Sequence, residues 1–399
     1  MGFEKKKTTT SSYRERLLEA LQVAAKLGVT AFGGPIAHLG YFRDEYIARR
    51  KWTSDANYTN LIALSQMLPG PASSKVGTSL GFIRAGFWGG FLSFLAFTLP
   101  SSIALVLFAY LLQGYDLTDA GWLNGLKIVA VAIVAHALIG MAKRLTPDWQ
   151  RITIALIVIG GILLWDIPYI QILFIVVGGL SGILFLKNND MQKKETIQSP
   201  FSRRTGLISL AAYFALLIIL PIISYFYSNQ LVSLFDSFYR AGALVFGGGH
   251  VLLPLLENEV IATNLMDADT FLAGYGAAQA VPGPMFTFAS YLGAIIYGIP
   301  GAIITTIAIF LPGFLLVIGT LPFFSYISHF KKVQSALIGI NAAVVGILAA
   351  AWFDPIITNA ISSVSDVVLA IALFVLIHYW KVSPLFVVAI GAAAGFIIG

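Results

Sequence analysis

The sequence predicts an all-α polytopic membrane protein of two inverted-topology repeats, with broken or re-entrant half-helices at Gly-Gly and Pro-Gly-Pro motifs. Composition, charge-free runs and internal repetition predict it. Of 399 residues, 58% are hydrophobic and 11% charged, and the mean hydropathy is +0.83. A soluble domain of this size needs far more charge to cover its surface. No Asp, Glu, Lys or Arg lies between Arg84 and Asp116, between Arg204 and Asp236, or between Lys332 and Asp354, and none from Thr270 to Phe330. Each run holds at least one segment of about 20 apolar residues, enough to cross the hydrocarbon core.

The repetition is read from Gly and Pro, which chance apolar similarity would not keep in step. Phe32-Gly33-Gly34-Pro35 recurs as Phe246-Gly247-Gly248-Gly249, a shift of 246 − 32 = 214. Gly28 and Gly242, and Glu45 and Glu259, share that shift. Gln66 with Pro69-Gly70-Pro71 recurs as Gln279 with Pro282-Gly283-Pro284, shifted by 213, and Leu99-Pro100 recurs as Leu311-Pro312, shifted by 212.

The segments follow in order. Residues 1–12 form a polar cytoplasmic tail, with no short apolar core and cleavage site of a signal peptide. Residues 13–187 form the first repeat and 188–204 a basic cytoplasmic linker carrying Lys193, Lys194, Arg203 and Arg204. Residues 205–227 make an extra transmembrane span, and 228–399 the second repeat. Basic residues mark cytoplasmic loops, so the N-terminus, Arg43–Lys51, Arg84, Lys143 and Arg144 lie inside, and Asp116, Asp119 and Asp166 outside. This works if 85–112, 121–142, 151–165 and 168–187 each cross once. The extra span then inserts the second repeat upside down. Its charges agree: Glu257, Glu259, Asp267 and Asp269 stand where the first copy has Arg49, Arg50 and Lys51. Arg240 fits poorly, near the outer side. Inverted repeats are characteristic of secondary transporters.

The breaks carry the chemistry. Pro lacks an N–H and Gly lowers helix propensity, so helices break at Gly33, Gly34 and Pro35, at Pro69, Gly70 and Pro71, at Gly247, Gly248 and Gly249, and at Pro282, Gly283 and Pro284. Non-helical backbone at membrane depth survives only where protein or a water-filled cavity satisfies it. Pro71 and Pro284 suit the first turn of the following helix, whose free N–H groups and positive dipole end favour an anion. Ser73, Ser74 and Lys75 fill that turn in the first copy, and Thr287 stands in the second. Packing kinks are the alternative, and Lys75 alone could snorkel to an interface.

Glu45 and Glu259 are matched acids and candidates for proton coupling, although Asp44 and Arg49 suggest a wet interface around Glu45. His38 follows the first break and could hold an anion or a proton; Leu252 is its counterpart. His136 reads as packing, and His250, His329 and His378 carry no usable pattern. No metal-ligand spacing, phosphate-binding loop or nucleophile elbow appears, so no cofactor, metal or catalytic residue is expected. The net charge of +6 reads as loop charge facing a lipid bilayer, with no nucleic-acid partner.

The run from Phe32 through His38, Gly40 and Phe42, followed by Glu45, Arg50 and Trp52, resembles the chromate ion transporter family. So do Ala63-Leu-Ser-Gln66 with Pro69-Gly70-Pro71, Gly81-Phe-Ile-Arg84-Ala-Gly86, and the second copy's Phe246–His250 and Gln279–Pro284. The resemblance runs from about residue 13 to the end and fits the long, two-domain form. It implies a plasma (inner) membrane protein that exports chromate and gives resistance, with uptake of related oxyanions in some members; a homodimer is left open.

The expectation is therefore a secondary active transporter, not an enzyme. It would export chromate or a related tetrahedral oxyanion by alternating access, with the anion between the two Pro-Gly-Pro breaks. Ser73, Ser74, Lys75 and Thr287 would contact it, joined by Gln66, Gln279 and His38. A sulfate or other anion importer or channel of the same fold is the alternative. A lipid-modifying membrane enzyme would need a convergent acid/base or metal cluster, which the sequence does not supply.

Overall fold

The computed structural model describes residues 12–114, 121–165, 170–186, 199–227, 229–246, 249–261, 263–324 and 330–398. Asp116, Asp119, Asp166, Gly247, Gly248, His329 and most of the linker lie outside the described residues. Every regular element among the described residues is helical, as the composition requires.

Helix α1 (Tyr13–Thr30) opens on a capping box in which Ser12 and Glu15 satisfy each other's backbone N–H groups. After Gly33, in the left-handed region at φ 93°, α2 (Gly34–Phe42) runs on into a π-helical stretch, Arg43–Arg49. Helix α3 (Asp55–Met67) ends at the first Pro-Gly-Pro, and α4 (Ala72–Gly114) begins just after it. Helices α5 (Gly121–Leu145), α6 (Trp149–Leu164) and α7 (Ile170–Phe185) complete the first half. The second half has α8 (Arg203–Phe226), α9 (Gln230–Leu244), α10 (Leu252–Val260), α11 (Ala268–Ala280) and α12 (Phe288–Thr320). It closes with α13 (Lys331–Ala351), α14 (Val364–His378) and α15 (Pro384–Ile398).

By length and composition Ala72–Gln113, Gly121–Leu145, Arg203–Phe226, Met285–Phe323 and Lys331–Ala360 can cross a membrane, and four shorter apolar helices accompany them. Helix α8, the extra span, is peripheral: 17% of its most apolar stretch is buried, against 61% for Met285–Phe323.

Two long helices are each broken, the first where the expected crossing 85–112 begins and the second where sequence reasoning expects no break. In α4 the backbone leaves helical geometry at Ala85 (φ −144°, ψ 30°) and Gly86 (φ 63°, ψ −157°). In α12 it does so at Tyr297 (φ −145°, ψ 24°) and Gly298 (φ 63°, ψ −152°). The positions differ by 298 − 86 = 212, the shift of the neighbouring Leu-Pro pairs. At each the chain reverses into a tight hairpin. A Cβ on Gly81 would lie 2.5 Å from the Gly89 carbonyl, and one on Gly293 would lie 2.4 Å from that of Gly301. The arms 72–84 and 288–296 are therefore half-helices, and the arms 87–114 and 299–320 are the spans.

The halves interlock through small residues, which let membrane helices approach closely. Gly178 and Gly182 of α7 pack on Gly339 of α13, where a Cβ on Gly339 would lie 2.0 Å from the Gly178 carbonyl. Gly391 and Gly395 of α15 pack on Gly125 of α5, where a Cβ on Gly125 would lie 2.1 Å from the Gly391 carbonyl. The two contacts correspond: 391 − 178 = 213 and 339 − 125 = 214. The last helix of each half thus packs on the other half.

Candidate functional site

Two backbone hydrogen bonds join helix ends of one half to the Pro-Gly-Pro turns of the other. The Gly70 N–H donates to the Val245 carbonyl at 2.7 Å, and the Gly283 N–H donates to the Ala31 carbonyl at 2.9 Å. Val245 and Ala31 end α9 and α1, at the second and first Gly-Gly breaks. The acceptors differ by 245 − 31 = 214 and the donors by 283 − 70 = 213, so the bonds are reciprocal. Each Pro-Gly-Pro turn closes on the Gly-Gly break of the opposite half, satisfying backbone that lipid cannot.

The first Pro-Gly-Pro carries a buried cation. Lys75 is 2% exposed, and its ammonium donates to the carbonyls of Leu68 and, at 2.9 Å, Pro69. These carbonyls cap the negative end of α3, so Lys75 clamps the half-helices on either side of the turn. Ser73 and Ser74 are buried, and the Ser74 hydroxyl has no hydrogen-bond partner. Pro71, Ser74, Lys75 and Thr78 line a cavity of about 10 Å³, closed on its other side by Phe94, Phe310 and Phe314. That volume suits about one water and not a tetrahedral oxyanion.

The second Pro-Gly-Pro differs. Thr287 is buried, and its hydroxyl donates to the Pro284 carbonyl at 2.7 Å. Beside Gly283 stands the Thr98-Leu-Pro-Ser101-Ser102 run of α4: a Cβ on Gly283 would lie 2.9 Å from the Ser101 hydroxyl. Ser101 donates to the Thr98 carbonyl at 2.9 Å, and the buried Thr98 and Ser102 hydroxyls have no partner. Sequence reasoning passed over these three residues. Their signal was a hydroxyl at i, i+3 and i+4, one helix face, in an otherwise apolar span.

His38 is buried against Phe42 and Phe97, and its Nε2 donates to the Ala31 carbonyl at 3.1 Å. It thus joins the carbonyl that Gly283 uses, while its Nδ1 is buried without a partner. The structure brings His38, Ser73, Ser74, Lys75 and Thr287 to the break cluster. The glutamines separate: Gln66 is exposed on α3, whereas Gln279 is half-buried, its amide nitrogen without a hydrogen-bond partner.

The matched acids lie in ion-pair networks. Glu45, 8% exposed, pairs with Lys26 at 3.0 Å, Arg50 at 3.0 Å and Arg49 at 3.3 Å. Glu19 pairs with Arg50 at 2.8 Å and Arg84 at 2.7 Å, and the Arg84 guanidinium lies over Trp52. Arg240 pairs with Glu259 and with Asp236, each at 3.1 Å. This explains how a cation is tolerated there. It also makes Arg240–Glu259 the counterpart of Lys26–Glu45, since 240 − 26 and 259 − 45 both equal 214.

Burial raises the Glu45 carboxyl, but hydrogen bonds from Lys26 and Arg50 and the nearby charges outweigh it and hold it below the ordinary value of 4.5. A depressed carboxyl contributes stability above its unfolded pKa and loses it as pH falls through the folded one. Thermal melting of the detergent-solubilised protein is therefore expected to weaken below pH 4.5. Glu45→Gln should flatten that dependence and lower the midpoint at neutral pH. An unchanged acid limb in the variant would remove this assignment.

Five helices long and apolar enough to cross a membrane, among the described residues, define a polytopic membrane protein. The sequence profile of the family described as "Chromate transporter" matches residues 18–183 and again 232–396. The chain belongs to the chromate transporter family. It is 29% identical over 396 residues to a probable chromate transport protein of Synechococcus elongatus, covering 96% of this chain and 95% of that one. It is 27% identical to an uncharacterized transporter of Methanocaldococcus jannaschii, covering 94% and 92%. To a chromate transport protein of Cupriavidus metallidurans it is 24% identical, covering 93% and 90%. No solved structure matches the chain.

Proposed function

We propose that this protein is a secondary active transporter exporting chromate across the plasma membrane by alternating access, with a cytoplasmic N-terminus, and so confers chromate resistance. Family membership supports the substrate class. The reciprocal Gly70–Val245 and Gly283–Ala31 bonds carry the mechanism: two similar halves, inserted in opposite senses by α8, hold one central junction between them. Opening one side breaks one bond of the pair and keeps the other, which is the exchange that alternating access needs.

The anion sits at the starts of the half-helices after Pro71 and Pro284. Their backbone N–H groups, the unpartnered hydroxyls of Ser74, Thr98 and Ser102, and the Lys75 ammonium supply the donors. Two Lys75 donors are engaged on carbonyls; the third faces the anion once the aromatic wall of Phe94, Phe310 and Phe314 parts. Hydroxyl and N–H donors discriminate weakly between tetrahedral dianions of similar size, so sulfate is expected to compete.

Uptake of labelled chromate into inside-out vesicles tests the reading. Ser74→Ala and Thr98→Ala should each lower chromate uptake about ten- to a hundredfold, as expected for one hydrogen bond to a charged group at about 1.5–3 kcal/mol. Unlabelled sulfate should inhibit competitively, an effect that excess chromate overcomes. Wild-type uptake rates in both variants would place the anion elsewhere.

A further inference from the structure

The matched acids of the two halves sit in clusters of opposite charge balance. Glu45 meets three cations, Lys26, Arg49 and Arg50. Among the described residues Glu259 meets one, Arg240, and shares it with Asp236, each at 3.1 Å. The difference is written in the chain. Left-handed Lys51 (φ 53°) and Asn264 (φ 56°) set the local shift at 264 − 51 = 213, so Thr263 stands in place of Arg50. At the shift of 214, Asp236 stands in place of Gln22. One arginine against two carboxylates leaves 1 − 2 = −1. The Asp236 and Glu259 side chains are only 5% and 12% exposed, and charge so enclosed needs compensation.

Space for the missing charge lies beside these groups. A cavity of about 20 Å³ is lined by Gln171 of α7, Arg240 of α9 and Glu259 of α10, with the apolar Ile172, Leu244 and Leu255. It holds about one water-sized particle. Gln171 is buried, and its amide nitrogen donates to the Pro254 carbonyl at 3.3 Å. That bond fixes which end of the amide is oxygen, and Oε1 is buried with no partner. Asp236 Oδ2 accepts from Arg240, while its Oδ1 is likewise buried with no partner. What the cluster lacks is positive charge at oxygen ligands, and hard cations take such ligands. Among the described residues no three His, Cys, Asp or Glu side chains gather to hold a metal ion. A net charge of −1 also balances one positive charge rather than two.

We propose that this cavity binds one dehydrated alkali-metal cation, held by Gln171 and Glu259 and completing the charge balance with Arg240 and Asp236. Gln171 belongs to the first half and the other groups to the second, so the cation fastens the two halves in this arrangement. Its release as they part lets a cation gradient drive the anion. That last step rests on the transport reading above; the binding does not.

The test melts the detergent-solubilised full chain in sodium, potassium or N-methylglucamine chloride at equal ionic strength. Sodium or potassium should raise the midpoint saturably, by about 2–4 °C at about five times its Kd, and the more effective of the two is the ion bound. N-methylglucamine is too large for the cavity and should do nothing. Asp236→Gln, which installs the first half's residue, should abolish the rise. So should Thr263→Arg, which sets a guanidinium four residues after Glu259 at an exposed position and folds even where loss of Asp236 is not tolerated. Equal midpoints in all three salts overturn the site, as does a rise that persists in Thr263→Arg. In liposomes an imposed gradient of the bound cation should speed chromate uptake. Binding with gradient-independent uptake defeats the coupling alone, whereas no uptake under any gradient defeats the transport reading and leaves the binding site standing.

Discussion

Lys75→Met is expected to reduce oxyanion flux by at least about a hundredfold while the protein still reaches the membrane. Methionine has similar length and apolar character, so packing beside Gly313 is largely kept. What it removes is the ammonium, and with it both hydrogen bonds to Leu68 and Pro69. Each carbonyl left buried and unpartnered costs about 1–3 kcal/mol, which loosens the clamp across the turn. The anion loses its central cation as well, and a buried charge contact is worth more than a neutral one. Lys75→Arg should not rescue flux, because a planar guanidinium has no room in a cavity of about 10 Å³. Uptake normalised to the amount of folded protein decides it. Flux within a fewfold of wild type in Lys75→Met would remove the first break from the transport path.

Gly86→Val and Gly298→Val carry the largest expected effects on folding. At φ 63° with ψ near −155° the backbone occupies a region essentially reserved for glycine, and a β-branched residue is the least compatible. A Cβ at Gly86 meets nothing within 4 Å, so the whole cost there is backbone strain. We expect Gly86→Val to lower the melting midpoint strongly, through a penalty of about 1–3 kcal/mol or more, and to splay the arms of the hairpin. Gly140→Val is the control: it too has open space, with no positive φ, and should cost no more than about 1 kcal/mol. Equal melting of Gly86→Val and Gly140→Val would show that the hairpin turn does not need its glycine.

Much of the fold was legible in the chain because membranes simplify the problem. Lipid forbids unsatisfied backbone, so apolar length marks spans and Gly and Pro mark the exceptions. A long apolar helix, α8, runs over Arg203–Phe226, and Gly33, Gly70 and Gly283 all adopt positive φ. The boundary at residue 85 was legible as the start of a crossing, but the turn glycines Gly86 and Gly298 escaped notice because an isolated Gly in an apolar helix is ordinary, and only the partner glycines at 81, 89, 293 and 301 reveal a reversal. The hydroxyl face of Thr98, Ser101 and Ser102 escaped for a related reason. Hydroxyls in membrane helices usually bond their own backbone, and nothing local shows that a break from the other half lies beside them.

The sequence by itself determined the membrane class, the duplication, and the Gly-Gly and Pro-Gly-Pro breaks, because each is written in composition or in local backbone chemistry. Only the tertiary structure decided how the breaks pair. Gly70 finds Val245, Gly283 finds Ala31, and His136 finds His378 across intervals in which no local pattern links the partners. Helix propensity and hydropathy act within a turn or two. Satisfying a free N–H at membrane depth requires whichever carbonyl the packed bundle brings within about 3 Å.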